Sequence, residues 1–231
     1  MPNSTHSYFD WTIFSGDSIP SSLNTYPILY EKISSVDTPS ILDIGSGFGK
    51  TCFEIANTTT ATLQGVDINQ NGVAYANDLL RLLPINIQKR LNFETADALS
   101  LPFQDSSFNI VVMQALLTTL TTPLHRSLVL SEARRVTDRH GGIYIADFIQ
   151  TWHIKSLYDR YIIGLEECGE LGSFFAYNET NNEKEYQAHH YNEKELVDLV
   201  NGAGFEIKHF EYHKFLTRTK NIVNGVVIWA E

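Results

Sequence analysis

The amino-acid sequence predicts an α/β domain built on a parallel sheet covered by helices. Three observations predict it. Short apolar runs alternate with longer helix-period stretches between Ser40 and Phe148. The first of these runs closes on an aspartate followed by three alternating glycines, "ILDIGSGFGKT" (Ile41 to Thr51). The length of 231 residues, 43% of them hydrophobic, suits one well-packed domain with a small cap.

Taken in order, "SSLNTYPILYEKI" (Ser21 to Ile33) reads as a short helix whose start is limited by Pro27. "SILDI" (Ser40 to Ile44) is the first strand, and the glycine loop leads into the helix "FGKTCFEIAN". The second strand is "ATLQGVDI" (Ala61 to Ile68), after which Asn69 can cap a helix running to Leu83 and stopped by Pro84. Strands follow at "LNFETAD" and "FNIVVMQ", then the helix "TPLHRSLVLSEARRV" with Pro123 in its first turn, then the strand "GGIYIADF". From Trp152 to His190 the periodicity breaks down into a tyrosine- and glutamate-rich stretch. The helix "NEKELVDLVNGAGF" and the strands "EIKHFEYH" and "NIVNGVVIWA" close the chain.

Composition narrows the function. A net charge of -10 argues against a nucleic-acid surface, which needs a basic footprint. Cys52 and Cys168 have no metal or disulfide spacing, so no metal is expected. The N-terminus lacks the basic start and apolar run of a signal peptide, and no run is long enough to span a membrane. A cytoplasmic location with no membrane partner is the expectation by elimination.

The Gly-Lys-Thr at the end of the opening stretch looks like a triphosphate loop. The spacing rejects it: the glycine that should stand five places before Gly49 is Ile44, inside the strand. A nicotinamide-type G-x-G-x-x-G would need Gly or Ala where Lys50 stands. Gly45, Gly47 and Gly49 alternate instead, directly after Asp43, which suits a ligand with a positive group and no phosphates. A strand-to-helix turn without ligand is the bland alternative. Asp67 stands at the end of the second strand, about 20 residues beyond the glycine turn, where an acid can accept two ribose hydroxyls. It would serve a dinucleotide equally well, or merely cap the next helix.

An acid followed by G-x-G-x-G resembles the first motif of the class I S-adenosylmethionine-dependent methyltransferases. The stretch "ETADALSLPFQDSSFNIVVMQALL" is similar to the same family's passage from the adenine-contacting acid into the fourth strand. The resemblance covers roughly Pro39 to Phe148. More loosely it includes "HHYNEKELVDLVNGAGFEI", which resembles the ubiquinone/menaquinone-type branch. It implies a Rossmann-like seven-stranded mixed sheet with helices on both faces and the last strand antiparallel. The short connection between Tyr212 and Asn221 supports that last strand, being too brief for a helical crossover.

The resemblance also implies S-adenosylmethionine as cofactor. Asp43 would position the methionine ammonium, Gly45, Ser46, Gly47 and Gly49 would admit the cofactor backbone-close, and Asp67 with Ile68 would meet the ribose. Asp97 would accept from the adenine amino group and Ala98 would line that pocket, while Gln114 would sit where cofactor and acceptor pockets meet. Phe108-Asn109 departs from the family's frequent Phe-Asp, a change at the strand edge and not in the cofactor site.

One domain over residues 1–231 is expected, with 1–38 as an N-terminal lid and helix and 149–191 as a substrate cap. The aromatic "SYFDWTIF" (Ser7 to Phe14) and the aromatics from Trp152 to Tyr191 can enclose an apolar or cationic acceptor, or simply pack the cap. Methyl transfer rests on positioning, so a base is optional; where one is used, His189 and His153 are the candidates, with His190 beside them. Asp147 could orient an acceptor or merely start the following loop. The expected function is methyl transfer to a small-molecule acceptor, with a homodimer allowed. The alternative is a cofactor-binding protein without transferase activity. A nicotinamide-dependent oxidoreductase is disfavoured by Lys50.

Overall fold

Neighbouring side chains on the central strands point to opposite faces, and both faces are apolar. Ile41 joins one buried cluster while Leu42 and Ile44 join another. A strand enclosed on both sides is the requirement of a parallel sheet flanked by helices. The computed structural model describes residues 23–177, 183–216 and 221–231. The aromatic stretch Ser7 to Phe14 lies outside them.

In chain order the elements are α1 (Pro27–Ser34), β1 (Ser40–Ile44), α2 (Lys50–Thr58), β2 (Thr62–Asp67), α3 (Gln70–Leu80) and a single turn α4 (Ile85–Gln88). Next come β3 (Leu91–Thr95), β4 (Phe108–Gln114), a 3-10 turn (Leu117–Thr119), α5 (Pro123–Val136), β5 (Thr137–Phe148) and α6 (Lys155–Cys168). The chain ends with β6 (Ser173–Tyr177), β7 (Lys184–His189), α7 (Glu193–Gly202), β8 (Ile207–Leu216) and β9 (Ile222–Ala230). Seven strands form one sheet in the order β3-β2-β1-β4-β5-β9-β8. β1 to β5 pair in parallel, and β9 runs antiparallel to both β5 and β8. The mixed sheet with an antiparallel last strand is therefore the expected one. α1, α2 and α3 bury Leu29, Ile55 and Ala76 on one face, and α5 and α7 bury Leu130 and Leu196 on the other.

Local chemistry sets the ends. The Asn69 side chain caps α3 by accepting from Gly72 N, and Thr122 caps α5 by accepting from His125 N. Asn192 and Glu195 form a reciprocal capping box at the start of α7. Asn109 accepts the Ser40 amide at 2.9 Å, so the departure at this position stitches β4 to the start of β1.

Three expectations need correction. α3 ends at Leu80, before the expected Leu83, and β5 starts earlier than expected, at Thr137. The stretch without periodicity also holds ordered elements: α6 and the antiparallel hairpin β6–β7, a small second sheet beside the central one. α6 buries only Leu157, Tyr161 and Gly164, a stripe too narrow to stand out among its exposed Tyr158, Ile162, Ile163 and Leu165.

Candidate cofactor and acceptor site

β1 has β2 on one side and β4 on the other, so the chain reverses its winding between β1 and β4. Open α/β sheets bind ligands in the crevice at the carboxyl ends of the strands at that point. The glycine loop lies there. Gly45, Gly47 and Gly49 all have positive φ, at 78°, 54° and 84°. The Gly45 and Ser46 amides both donate to the Val66 carbonyl, at 2.8 and 2.9 Å, which folds the loop back onto β2. The three glycines are needed for different reasons. A Cβ at Gly45 would press on Leu116 at 2.9 Å, and one at Gly49 would press on Phe53 and Phe93 at 2.8 Å. A Cβ at Gly47 would meet nothing within 4 Å. The outer two serve the protein's own packing, and the middle one opens onto the crevice. Beside it the buried Ser46 Oγ has no hydrogen-bond partner.

Two carboxylates stand at the strand ends next to this loop, Asp67 in β2 and Asp43 in β1. Asp67 Oδ2 accepts the Gly47 amide at 2.7 Å and Oδ1 accepts the Asn69 amide at 2.8 Å, while Ile68 next to it is 46% exposed. Burial raises the Asp67 carboxyl above its ordinary range, against the pull of these backbone donors. Asp43 is buried at the end of β1, and the Cys52 thiol donates to its Oδ2 at 3.4 Å. Burial pushes Asp43 up to about 7, with the Cys52 hydrogen bond opposing and the charge of Asp67 adding.

Asp97 is exposed just past β3, its Oδ1 accepting the Leu99 amide at 2.9 Å, with Ala98 half-buried beside it. Gln114 ends β4, and the following Ala115 holds a positive φ of 51°. Gln114 Nε2 donates to the Leu23 carbonyl at 3.3 Å, and Lys50 Nζ donates to the same oxygen at 3.0 Å. In the sequence Leu23 belongs to no motif, and Lys50 shows only within the rejected Gly-Lys-Thr and as a departure from a dinucleotide pattern.

The methyltransferase-domain family pattern matches residues 36–207. The chain belongs to the class I S-adenosylmethionine-dependent methyltransferases. A SAM-dependent methyltransferase of Methanosarcina mazei superposes with a TM-score of 0.84 at 38% identity, covering 90% of this chain and 98% of that one. The methyltransferase GfsG of Streptomyces halstedii is 32% identical over 121 residues, 52% of this chain and 42% of that protein. A ubiquinone/menaquinone biosynthesis C-methyltransferase of Burkholderia cenocepacia is 30% identical over 124 residues, 52% of this chain and 48% of that protein. The matched region thus spans less than half the length of these curated relatives.

The histidines that the sequence singles out divide. His189 is fully buried at the end of β7; its Nδ1 lies 2.8 Å from Ser173 Oγ and 3.3 Å from Glu170 Oε2, and its Nε2 lies 2.9 Å from Glu195 Oε1. Both ring nitrogens of His189 are thus engaged by the protein. Glu170, His189 and Glu195 bring three donor atoms within 4.8 Å of one another, as a metal site would. The buried Arg126 guanidinium fills that place instead, bidentate on Glu170 at 2.7 and 2.8 Å and 3.6 Å from Glu195.

His190 stacks on Phe148 at the end of β5 and has Phe174 and Tyr161 edge-on. The Thr151 amide donates to Tyr161 Oη at 3.1 Å, leaving the hydroxyl proton for His190 Nδ1 at 2.8 Å. Burial pulls His190 down to about 3, too weak a base to accept a proton near neutrality. His153 is exposed on the turn before α6. Asp147 is fully buried and accepts the Phe148 and Thr118 amides at 2.7 and 3.2 Å, holding the 3-10 turn after β4. Among the described residues no helix is long and apolar enough to cross a membrane.

Proposed function

We propose that this chain binds S-adenosylmethionine and transfers its methyl group to a small-molecule acceptor in the cytoplasm. One observation carries the reading: at the switch point, Gly47 presents open space and gives its amide to Asp67, and the strand leading into the loop carries Asp43. That arrangement fits the group. Open backbone admits it, Asp67 has acceptor capacity for ribose hydroxyls, and Asp43 is placed before the loop to face an ammonium. Asp97 and Ala98 are assigned to the adenine, and Ser46, Ile68 and Gln114 to the rim.

The bound cofactor supplies a methyl group already activated on a sulfonium. The protein's part is to hold the acceptor in line and keep water away, which lowers the barrier by positioning. His189, His190 and Asp147 are committed to scaffold contacts, and that favours an acceptor needing no strong base. His153, the exposed candidate, is retained as the one histidine free of such a network among those the sequence singled out. The net charge of -10 and the glutamates of the cap favour a neutral or cationic small molecule over an acidic polymer.

The test has two steps. Thermal stabilisation by S-adenosylmethionine and S-adenosylhomocysteine but not by NAD is expected, and stabilisation by NAD alone would refute the cofactor. Release of S-adenosylhomocysteine across a panel of amines, phenols and acids is then expected. Cofactor binding with no release on any acceptor would favour a binding module without transferase activity.

A further inference from the structure

The glycine loop closes on Lys50 and Thr51, whose side chains the cofactor reading leaves unassigned. Lys50 opens α2 on one side of the crevice between β1 and β4, and Gln114 ends β4 on the other. Both reach across to a single oxygen, the Leu23 carbonyl, at 3.0 and 3.3 Å. The geometry of Gln114 is set from behind: Thr51 Oγ1 donates to its Oε1 at 3.4 Å, which turns the amide's donor end toward the crevice. Lys50 also donates to Asn24 Oδ1 at 3.3 Å.

An ammonium and an amide converging on one oxygen are the donors that recognise a carboxylate, and such charge-assisted bonds are roughly twice as strong as neutral ones. A peptide carbonyl there is a weaker partner than an anion. We propose that Lys50 and Gln114 form the subsite for the α-carboxylate of the cofactor's amino-acid end, a subsite that the Leu23 carbonyl fills in the free protein. This rests on the cofactor reading above. The two ends of the loop then complement a zwitterion, with Asp43 before the glycines for the ammonium and Lys50 after them for the carboxylate. In a chain of net charge -10 a carboxylate needs such a local cation.

Cofactor binding therefore exchanges one acceptor for another and lets go of residues 23–24. The following residues stay attached, because Thr25 Oγ1 donates to Glu54 Oε1 at 2.5 Å and the Tyr26 amide donates to Tyr144 Oη at 3.2 Å.

Calorimetry on the full chain tests the assignment with two probes, S-adenosylhomocysteine and decarboxylated S-adenosylmethionine, which keeps the ammonium and lacks the carboxylate. Lys50→Met is expected to bind S-adenosylhomocysteine about tenfold more weakly than the parent, the effect of roughly one charge-assisted hydrogen bond. It should bind the decarboxylated probe as the parent does, and Lys50→Arg should recover most of the lost affinity. Equal weakening for both probes would mean that Lys50 acts only through its hold on residues 23–24, and no weakening for either would remove it from the site; each overturns the proposal. A parent protein that binds neither probe would refute the cofactor reading itself.

Discussion

Asp67, the last residue of β2, accepts the Gly47 amide at 2.7 Å and so holds the open middle of the glycine loop from the neighbouring strand. The same carboxylate caps the turn into α3 through the Asn69 amide at 2.8 Å. One side chain thus shapes the loop and the turn into α3, and in the proposed site its remaining lone pairs serve the ribose. Replacing it by alanine removes both functions. Asp67→Ala is expected to weaken S-adenosylmethionine binding by about 1–3 kcal/mol, the range for losing a charged acceptor. It should also lower thermal stability, since two backbone amides lose their partner. Asp67→Asn keeps one acceptor oxygen and should lose less of both. Parent-like affinity for the alanine variant, measured by calorimetry, would place the cofactor elsewhere.

The glycines separate folding from binding. A Cβ at Gly47 meets no neighbour, so the first folding cost of Gly47→Val is the strained φ, of order 1–2 kcal/mol. Its side chain enters the crevice, and binding should be abolished in a protein that still melts cooperatively. Gly49→Ala instead drives a Cβ against Phe93 and Phe53, so its first effect should be a lower melting temperature. A Gly47→Val protein that binds normally would refute the placement.

Asp43 gives binding a pH dependence. Its carboxyl is held at about 7 in the free protein, mainly by burial, so a large fraction is protonated at neutral pH. Pairing with an ammonium favours the ionised form. Below about pH 7 binding must therefore release a proton, and affinity should rise as pH goes from 6 to 8 and then level off. Asp43→Asn should bind weakly at every pH and lose this slope. Calorimetry in two buffers of different ionisation enthalpy reads the proton directly; no proton release at pH 6 would separate Asp43 from the ammonium.

His190 gives folding stability a pH dependence of its own. Its pKa is depressed to about 3 by burial, against an ordinary value of about 6.5 in the unfolded chain. The unfolded state binds the extra proton between these values. The neutral histidine's contribution is thus fully present above pH 6.5 and is lost as pH falls toward 3. His190→Phe should flatten that acid limb of the stability curve, which denaturant melts from pH 4 to 7 would show. An unchanged acid limb would mean that other groups control it.

The central sheet is legible in the sequence because strands buried on both faces read as continuous apolar runs. "SILDI" and "FNIVVMQ" coincide with β1 and β4 at both ends. The glycine loop is legible because few residues other than glycine accept a positive φ, and Asp67 because it stands at a strand end a fixed distance on. The cap is not legible. Its helix buries a narrow stripe, and its hairpin gains its anchor from Arg126 and Glu195, which only the folded chain brings to His189. Lys50 is readable as a residue in the wrong place for one motif. What it touches, the Leu23 carbonyl, carries no side-chain signal at all.

The role of His189 can be decided by separating stability from turnover. The cluster joins five parts of the chain: Arg126 from α5, Glu170 from the turn after α6, Ser173 from β6, His189 from β7 and Glu195 from α7. The His189 carbonyl also accepts from Thr118 Oγ1 at 2.8 Å, which ties the hairpin to the turn after β4. Removing one member leaves buried charge without its partner, a loss of about 3–5 kcal/mol for a buried pair. Arg126→Met should therefore lower the melting temperature by roughly 6–20 °C at about 2–4 °C per kcal/mol for a chain of this size. His189→Gln keeps one donor and one acceptor and should fall between that variant and the parent. At a temperature where it remains folded, His189→Gln should turn over acceptor with kcat and its pH profile unchanged. A drop in kcat of a hundredfold or more at preserved stability, with the acid limb of the pH profile gone, would instead make His189 the base and require the cluster to open during catalysis.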